Sequence, residues 1–291
     1  MAFKRRVKLP GVQSLDGETA TQTNPLGARY HAIQQTISDT AGEHADVIVN
    51  ECRVLVNGVA QRTFGLDELD HLNGLHGAEF QKQAAGTAAV GNPGYAEIIT
   101  ILFAQLYRKE VIYQEMSAWG TGGLSSFTLE YDLAGKAGTN IVNIARVDQS
   151  LIQNGSATVQ QPLGLIEKWY RSPVNITGVE KQIIDIPLNR GDLIGLSFFD
   201  ANIASIQIKL NEVIVYDMTK QQNDADLVAH GMFPTADVFD VVFDADDILT
   251  NILPLTQFNG LPVSSLEVNL TLSDGTPRNI NLIRQVWGRP D

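Results

Sequence analysis

Two stretches decide the fold: Cys52-Arg53-Val54-Leu55-Val56-Asn57-Gly58-Val59 and Ile206-Gln207-Ile208-Lys209-Leu210-Asn211-Glu212-Val213. In each, apolar side chains recur at every second position and then meet an Asn-led turn. Period two with one polar face describes a strand lying over a core. Asn57-Gly58 favours a type I′ hairpin, because both residues tolerate positive φ. Arg53–Val56 and Val59–Phe64 are therefore expected to pair.

The two stretches lie 154 residues apart. At the same displacement His76-Gly77 meets His230-Gly231, each at the end of an expected helix, where Gly is a natural C-cap. A displacement of 139 aligns Ser125, Ser126, Leu133, Asn140, Ile141, Ile144 and Val147 with Ser264, Ser265, Leu272, Asn279, Ile280, Ile283 and Val286, all identical. Phe127–Leu133 and Leu266–Leu272 alternate in phase across that match. The change of displacement places a 15-residue excess in the first copy, in the Gly/Ala-rich loop Gln81–Gly94. Repetition of this kind predicts a duplicated unit.

The rest of the chain reads as short Val-, Ile-, Leu-, Phe- and Tyr-rich runs between turn clusters such as Asn92-Pro93-Gly94, Asn189-Arg190-Gly191, Asn259-Gly260 and Ser273-Asp274-Gly275. Three short helices interrupt it. Leu66, Leu69, Leu72 and Leu75 mark one, Thr219–His230 is another, and Lys109–Trp119 is the third. The expected fold is all-β: two tandem jelly-roll domains, each an eight-stranded β-sandwich, with short helices inserted in loops. The expected division is a basic N-terminal arm over 1–11, a first jelly roll over 12–147, a linker over 148–161 and a second jelly roll over 162–291.

Composition bounds the function. The 291 residues include 21 Lys plus Arg and 33 Asp plus Glu, a net charge of -12, which argues against general nucleic-acid binding. Lys4, Arg5, Arg6 and Lys8 all fall in the first eight residues, so arm and body are separate electrostatic objects. Charged residues make up 19% of the chain, while Asn and Gln number 37. An amide-rich surface suits a protein that packs against copies of itself, since amides desolvate at lower cost than ions. A single Cys excludes an internal disulfide framework and a Cys-based zinc cluster. Its phase with Val54 and Val56 puts Cys52 in the core. The basic N-terminus runs into Leu9-Pro10-Gly11 and no apolar run approaches a membrane span, so synthesis and folding in the cytoplasm are expected.

Catalytic constellations are not found. The five histidines form no His-x-His pair, and His76 and His230 read as helix-end residues. Asp240, Asp244, Asp246 and Asp247 form the densest acidic cluster, and Asp244, Asp246 and Asp247 are the candidate oxygen ligands for a hard cation. The cluster lacks the Gly and Glu of an EF-hand loop, and Asp246-Asp247 ahead of Ile248-Leu249 reads more simply as a helix N-terminus. Asp224 and Asp226 read as a solvated face. Gly120-Thr121-Gly122-Gly123 lacks the Gly-Lys-Ser/Thr of a phosphate loop and reads as a turn. The basic segment Lys4, Arg5, Arg6, Lys8 admits three readings: a solvated tail, a contact with an anionic membrane, or a contact with nucleic acid.

The block Ala118-Trp119-Gly120-Thr121-Gly122-Gly123-Leu124-Ser125-Ser126-Phe127-Thr128-Leu129-Glu130-Tyr131-Asp132 resembles the corticovirus major coat proteins. So do Ile206-Gln207-Ile208-Lys209, Asp224-Ala225-Asp226 and the ending Val286-Trp287-Gly288-Arg289, in the same order and spacing. The resemblance implies a non-enzymatic double jelly-roll major capsid protein of tailless, icosahedral bacteriophages with an internal membrane. It further implies homotrimeric pseudo-hexameric capsomers, residence in the virion capsid, and contacts with minor capsid, vertex and membrane proteins and with the inner viral membrane. Sequence-specific nucleic-acid binding is not among its implications. The basic segment would face membrane or lumen. Calcium enters by resemblance alone, and no other cofactor is implied. The competing expectation is a β-sandwich carbohydrate-binding or receptor-attachment protein, which would display clustered exposed aromatics.

Overall fold

The computed structural model describes residues 4–291 apart from 15–17, 109, 150, 155–156, 184–185 and 247–250. The chain divides into two units. The first comprises residues 1–167 with Pro290–Asp291, and the second Lys168–Arg289.

In the first unit the strand Thr139–Asp148 runs between Arg5–Lys8 and Arg29–Ser38, and Ala96–Leu102 and Gln83–Ala84 follow. The facing strands run Val59–Phe64, Val49–Val56, Phe127–Leu133, Thr19–Thr23. In the second unit one path opens on the strand Ile166–Ile176, whose first two residues belong to the first unit, and continues Arg278–Gly288, Asp192–Phe199, Phe239–Val242. Its other path runs Val213–Thr219, Ile203–Leu210, Leu266–Leu272, Glu180–Ile183. The strand orders match position by position, so each unit is a jelly roll built on one plan.

The register is copied as well. Phe127 faces Val56 and Leu129 faces Val54, while Leu266 faces Leu210 and Val268 faces Ile208. Both ladders slip at their far ends, where Leu133 meets Val49 and Leu272 meets Ile203. The hairpins agree too: Val56 pairs Val59 with a bulge at Val54/Leu55, and Leu210 pairs Val213 with a bulge at Ile208/Lys209. Phe127–Leu133 and Leu266–Leu272 bury every second residue in the same phase. A one-residue slip would turn these apolar sets to solvent, which fixes the register.

One side chain locks each hairpin. Asn57 and Asn211 take φ 51° and 48°, a left-handed conformation that Asn tolerates. Asn57 Oδ1 accepts from Ser125 N–H and Ser125 Oγ, both at 2.8 Å, and from Ser126 N–H at 3.3 Å. Asn211 Oδ1 accepts from Ser264 N–H at 2.8 Å, Ser264 Oγ at 3.1 Å and Ser265 N–H at 3.3 Å. The Asn and Ser-Ser identities seen in the sequence thus have one cause: an amide clamps each hairpin to its neighbouring strand.

The helices follow their signals. Leu66–Leu75 buries all four leucines, and the Glu68 carboxylate accepts from the Gly65 N–H at 2.7 Å. Lys220–Ala229 opens on a Thr219/Gln222 capping box. His76 and His230 cap the two helix ends with their N–H groups, and positive-φ Gly77 and Gly231 follow. The third helix is shorter than its sequence range, covering Val111–Met116. Residues 76–95 lead from helix to strand in the first unit, where 230–238 suffice in the second; most of the excess lies here, where the sequence places it. Cys52 is fully buried.

Two boundaries differ from the sequence reading. Within the basic arm read over 1–11, Arg5–Lys8 is a strand against Thr139–Asp148. Burial of Leu9 and Val12, and donation of the Leu9 N–H to the Asn143 carbonyl, hold it to the sheet. The segment 148–161 is not a plain linker: Leu151–Asn154 pairs with Ala157–Gln160, and the segment belongs to the first unit, which runs on to Glu167. The glycines of 120–123 also do more than turn. A Cβ on Gly120 would lie 2.5 Å from the Gln161 carbonyl oxygen, and one on Gly122 2.7 Å from that of Gln160. Backbone passes directly over backbone there, so no side chain fits.

Candidate functional site

The basic segment is held at one end by an ion-pair network. Lys4 Nζ bonds the Glu115 carboxylate, whose other oxygen receives Arg29 Nη2 at 2.5 Å. Arg29 also grips Asp148 with both arms of its fork, Nε to Oδ1 at 2.9 Å and Nη2 to Oδ2 at 2.6 Å. His31 Nε2 lies 3.1 Å from Asp148 Oδ2. His31 and Asp148 are buried, on the neighbouring strands Arg29–Ser38 and Thr139–Asp148.

Burial by itself would raise the Asp148 carboxyl, but hydrogen bonds from Arg29 and His31 outweigh it and hold it below the usual range. Glu115 is likewise held low against its burial, by Lys4 and Arg29. Burial pushes His31 below the ordinary imidazole value, against the pull of Asp148. His31 is therefore neutral and donates from Nε2.

These shifts share one sign. As pH falls through about 6.5, the unfolded chain protonates His31 while the folded chain resists, so stability declines. Below about 4, protonation of Glu115 and Asp148 removes their ion pairs and adds to the loss. The urea midpoint is expected to fall between pH 7 and pH 5, and His31→Gln should flatten that slope. An equal slope in both proteins would show that His31 does not set it.

A second cluster gathers His44, Asp46 and Glu97. Glu97 accepts from the Tyr95 hydroxyl at 2.7 Å and the Ala45 N–H at 2.8 Å, faces His44 Nδ1 at 2.7 Å, and lies 3.8 Å from Lys82. Among the described residues, these two clusters are the ones that bring three ligating atoms within 4.8 Å of one another. Neither fits calcium. Each includes an imidazole and already holds a basic side chain, whereas calcium takes six to eight oxygens. Asp244 and Asp246 belong to neither cluster; Asp246 Oδ2 accepts from Asn251 at 2.5 Å. Asp247, and with it the helix N-terminus read at Asp246-Asp247, lies outside the described residues. Asp224, read as a solvated residue, pairs with Lys220 at 2.5 Å. Local spacing gives no sign of either cluster, because the fold brings Glu115, on the helix Val111–Met116, to His31 and Asp148, and Glu97, on the strand Ala96–Leu102, to His44 and Asp46.

Arg5, Arg6 and Lys8 are exposed, and among the described residues none has an ion-pair partner. Arg6 lies directly opposite Arg146. The tryptophans offer no glycan platform: Trp119 and Trp169 are buried and Trp287 is half-buried.

Family models described as the viral coat protein P2 N-terminal and C-terminal domains match residues 7–147 and 166–286. The major capsid protein P2 of bacteriophage PM2 superposes with a TM-score of 0.79 at 17% identity, over 99% of this chain and 98% of that one. VP54 of PBCV-1 gives 0.62 at 8% identity, over 99% and 94%. The Faustovirus major capsid protein gives 0.56 at 7%, over 100% and 91%. No curated protein matches the chain by sequence. The attachment-protein alternative finds no support in these matches. With both of its units matched in order by the two domains of one family, the chain belongs to the viral coat protein P2 family, and it is a structural protein of the virion capsid.

Proposed function

We propose that this coat protein acts as a homotrimer, each trimer a pseudo-hexagonal capsomer that tiles an icosahedral shell around an internal membrane. The duplication carries the reading. Each chain presents two jelly rolls of one topology and one register, so three chains present six similar units to their neighbours. Closed rings of this kind use heterologous contacts that return on themselves. The amide-rich surface can pair across such contacts without burying ions. Minor capsid and vertex proteins, membrane proteins and the inner membrane surface complete the set of partners.

Size-exclusion chromatography with light scattering tests the first step. The purified chain should elute at three times its 31.7 kDa mass and hold that mass on dilution. A dilution-stable monomer would contradict the trimer. Flotation with vesicles containing anionic lipid tests the membrane contact, which salt should weaken.

A further inference from the structure

The duplicated plan makes a comparison that one jelly roll could not. In the first unit, strand Val59–Phe64 pairs with Val49–Val56 and is not a sheet edge, and its centre is fully buried. Gln61 Oε1 accepts from the Asp291 N–H at 3.0 Å, and Arg62 Nε donates to the Glu167 carbonyl at 2.9 Å. In the second unit the same position is held by Val213–Thr219, which pairs with Ile203–Leu210 on one side. Here Val213 and Ile214 are 50% and 53% exposed, Val215 and Tyr216 are half-buried, and Asp217 is exposed. An apolar strand edge left open in this way is a liability that soluble proteins avoid unless something pairs with it.

The opposite asymmetry appears on the other sheets. Arg5–Lys8 is the outer strand of its path, bonded on one side to Thr139–Asp148. Its residues are exposed except for half-buried Val7. The strand at that position in the second unit's path, Ile166–Ile176, buries Lys168 and Trp169 where it enters that unit. One chain thus carries two open strand edges whose counterparts are both closed.

Their charges are complementary. Exposed Glu212 precedes the open strand, and Asp217 within it bonds the neutral amide of Gln207 at 2.8 Å. The other strand brings Arg5, Arg6 and Lys8, for which the described residues supply no acid.

We infer that the edge Val213–Thr219 of one copy receives the strand Arg5–Lys8 of the next copy, so that a β-sheet continues from chain to chain. Strand addition supplies backbone hydrogen bonds, and Val213 and Ile214 lose their exposure. Glu212 and Asp217 set the partner by charge. The inference rests on the proposed self-association and names the surfaces that carry it.

Charge exchange tests it in the full chain, read by light scattering over a dilution series. Glu212→Lys with Asp217→Lys, or Arg5→Glu with Lys8→Glu, should each raise the dissociation concentration at least a hundredfold. All four substitutions together should restore association. Unaltered melting curves would establish that the variants fold. In the unsubstituted protein, carbodiimide coupling of isotope-labelled and unlabelled copies should join Lys8 of one copy to Asp217 or Glu212 of another. Variants that associate like the parent would overturn the inference. Loss of anionic-vesicle binding with an intact oligomer in the Arg5→Glu, Lys8→Glu variant would also overturn it, assigning the strand to lipid. A parent protein that is itself monomeric would refute the trimer, a different failure.

Discussion

Replacing Arg29 with Met is expected to lower unfolding stability by about 3–5 kcal/mol, the usual cost of removing one partner from a buried ion pair. The size follows from what stays behind. Asp148 is buried and loses both of its charge-assisted hydrogen bonds from Arg29, and Glu115 keeps Lys4 alone. Neutral His31 cannot balance the abandoned charge. Asp148→Asn added to Arg29→Met should recover part of the loss, because it removes the buried charge; the cycle isolates the coupling. Urea denaturation at pH 7 measures both. A loss under about 1 kcal/mol would mean that Asp148 is solvated rather than paired.

Phe127→Ala is expected to cost about 3–5 kcal/mol, in the range for emptying a large buried site. Phe127 is fully buried and packs edge-on against Tyr30 at 4.9 Å and Phe103 at 5.6 Å, with Trp119 at 6.1 Å. Rings of this size collapse poorly into a void, so most of the cavity should persist. The matched position in the second unit is Leu266, also buried, and Leu266→Ala should cost about 2–5 kcal/mol. Equal tolerance of alanine and the parent residue at both positions in a thermal melt would contradict the shared inward phase of these strands.

Both positions were readable from alternation. So were Asn57 and Asn211, because a left-handed turn residue at fixed phase to a strand is a local signal. The limits of reading are just as physical. Arg5–Lys8 resembles a tail because a four-residue outer strand with exposed charges shows no apolar alternation. Its attachment depends on Leu9 and Val12, isolated apolar residues in a polar stretch. The hairpin of Leu151–Asn154 and Ala157–Gln160 reads as a linker because its segment is polar. Gly120 and Gly122 read as a turn, but their reason is the backbone of Gln160–Pro162 passing above them, which no local pattern encodes. Arg29 and Asp148 meet because Arg29–Ser38 and Thr139–Asp148 are neighbours in a sheet. Their separation of 119 residues hides the pair from any reading of spacing.

Cryo-electron microscopy of particles carrying this chain tests its place in the virion most directly. The shell should resolve into pseudo-hexagonal capsomers, each holding three copies, with two jelly rolls of one topology per copy. Density that places the chain in spikes projecting from a shell built of another protein would contradict that assignment.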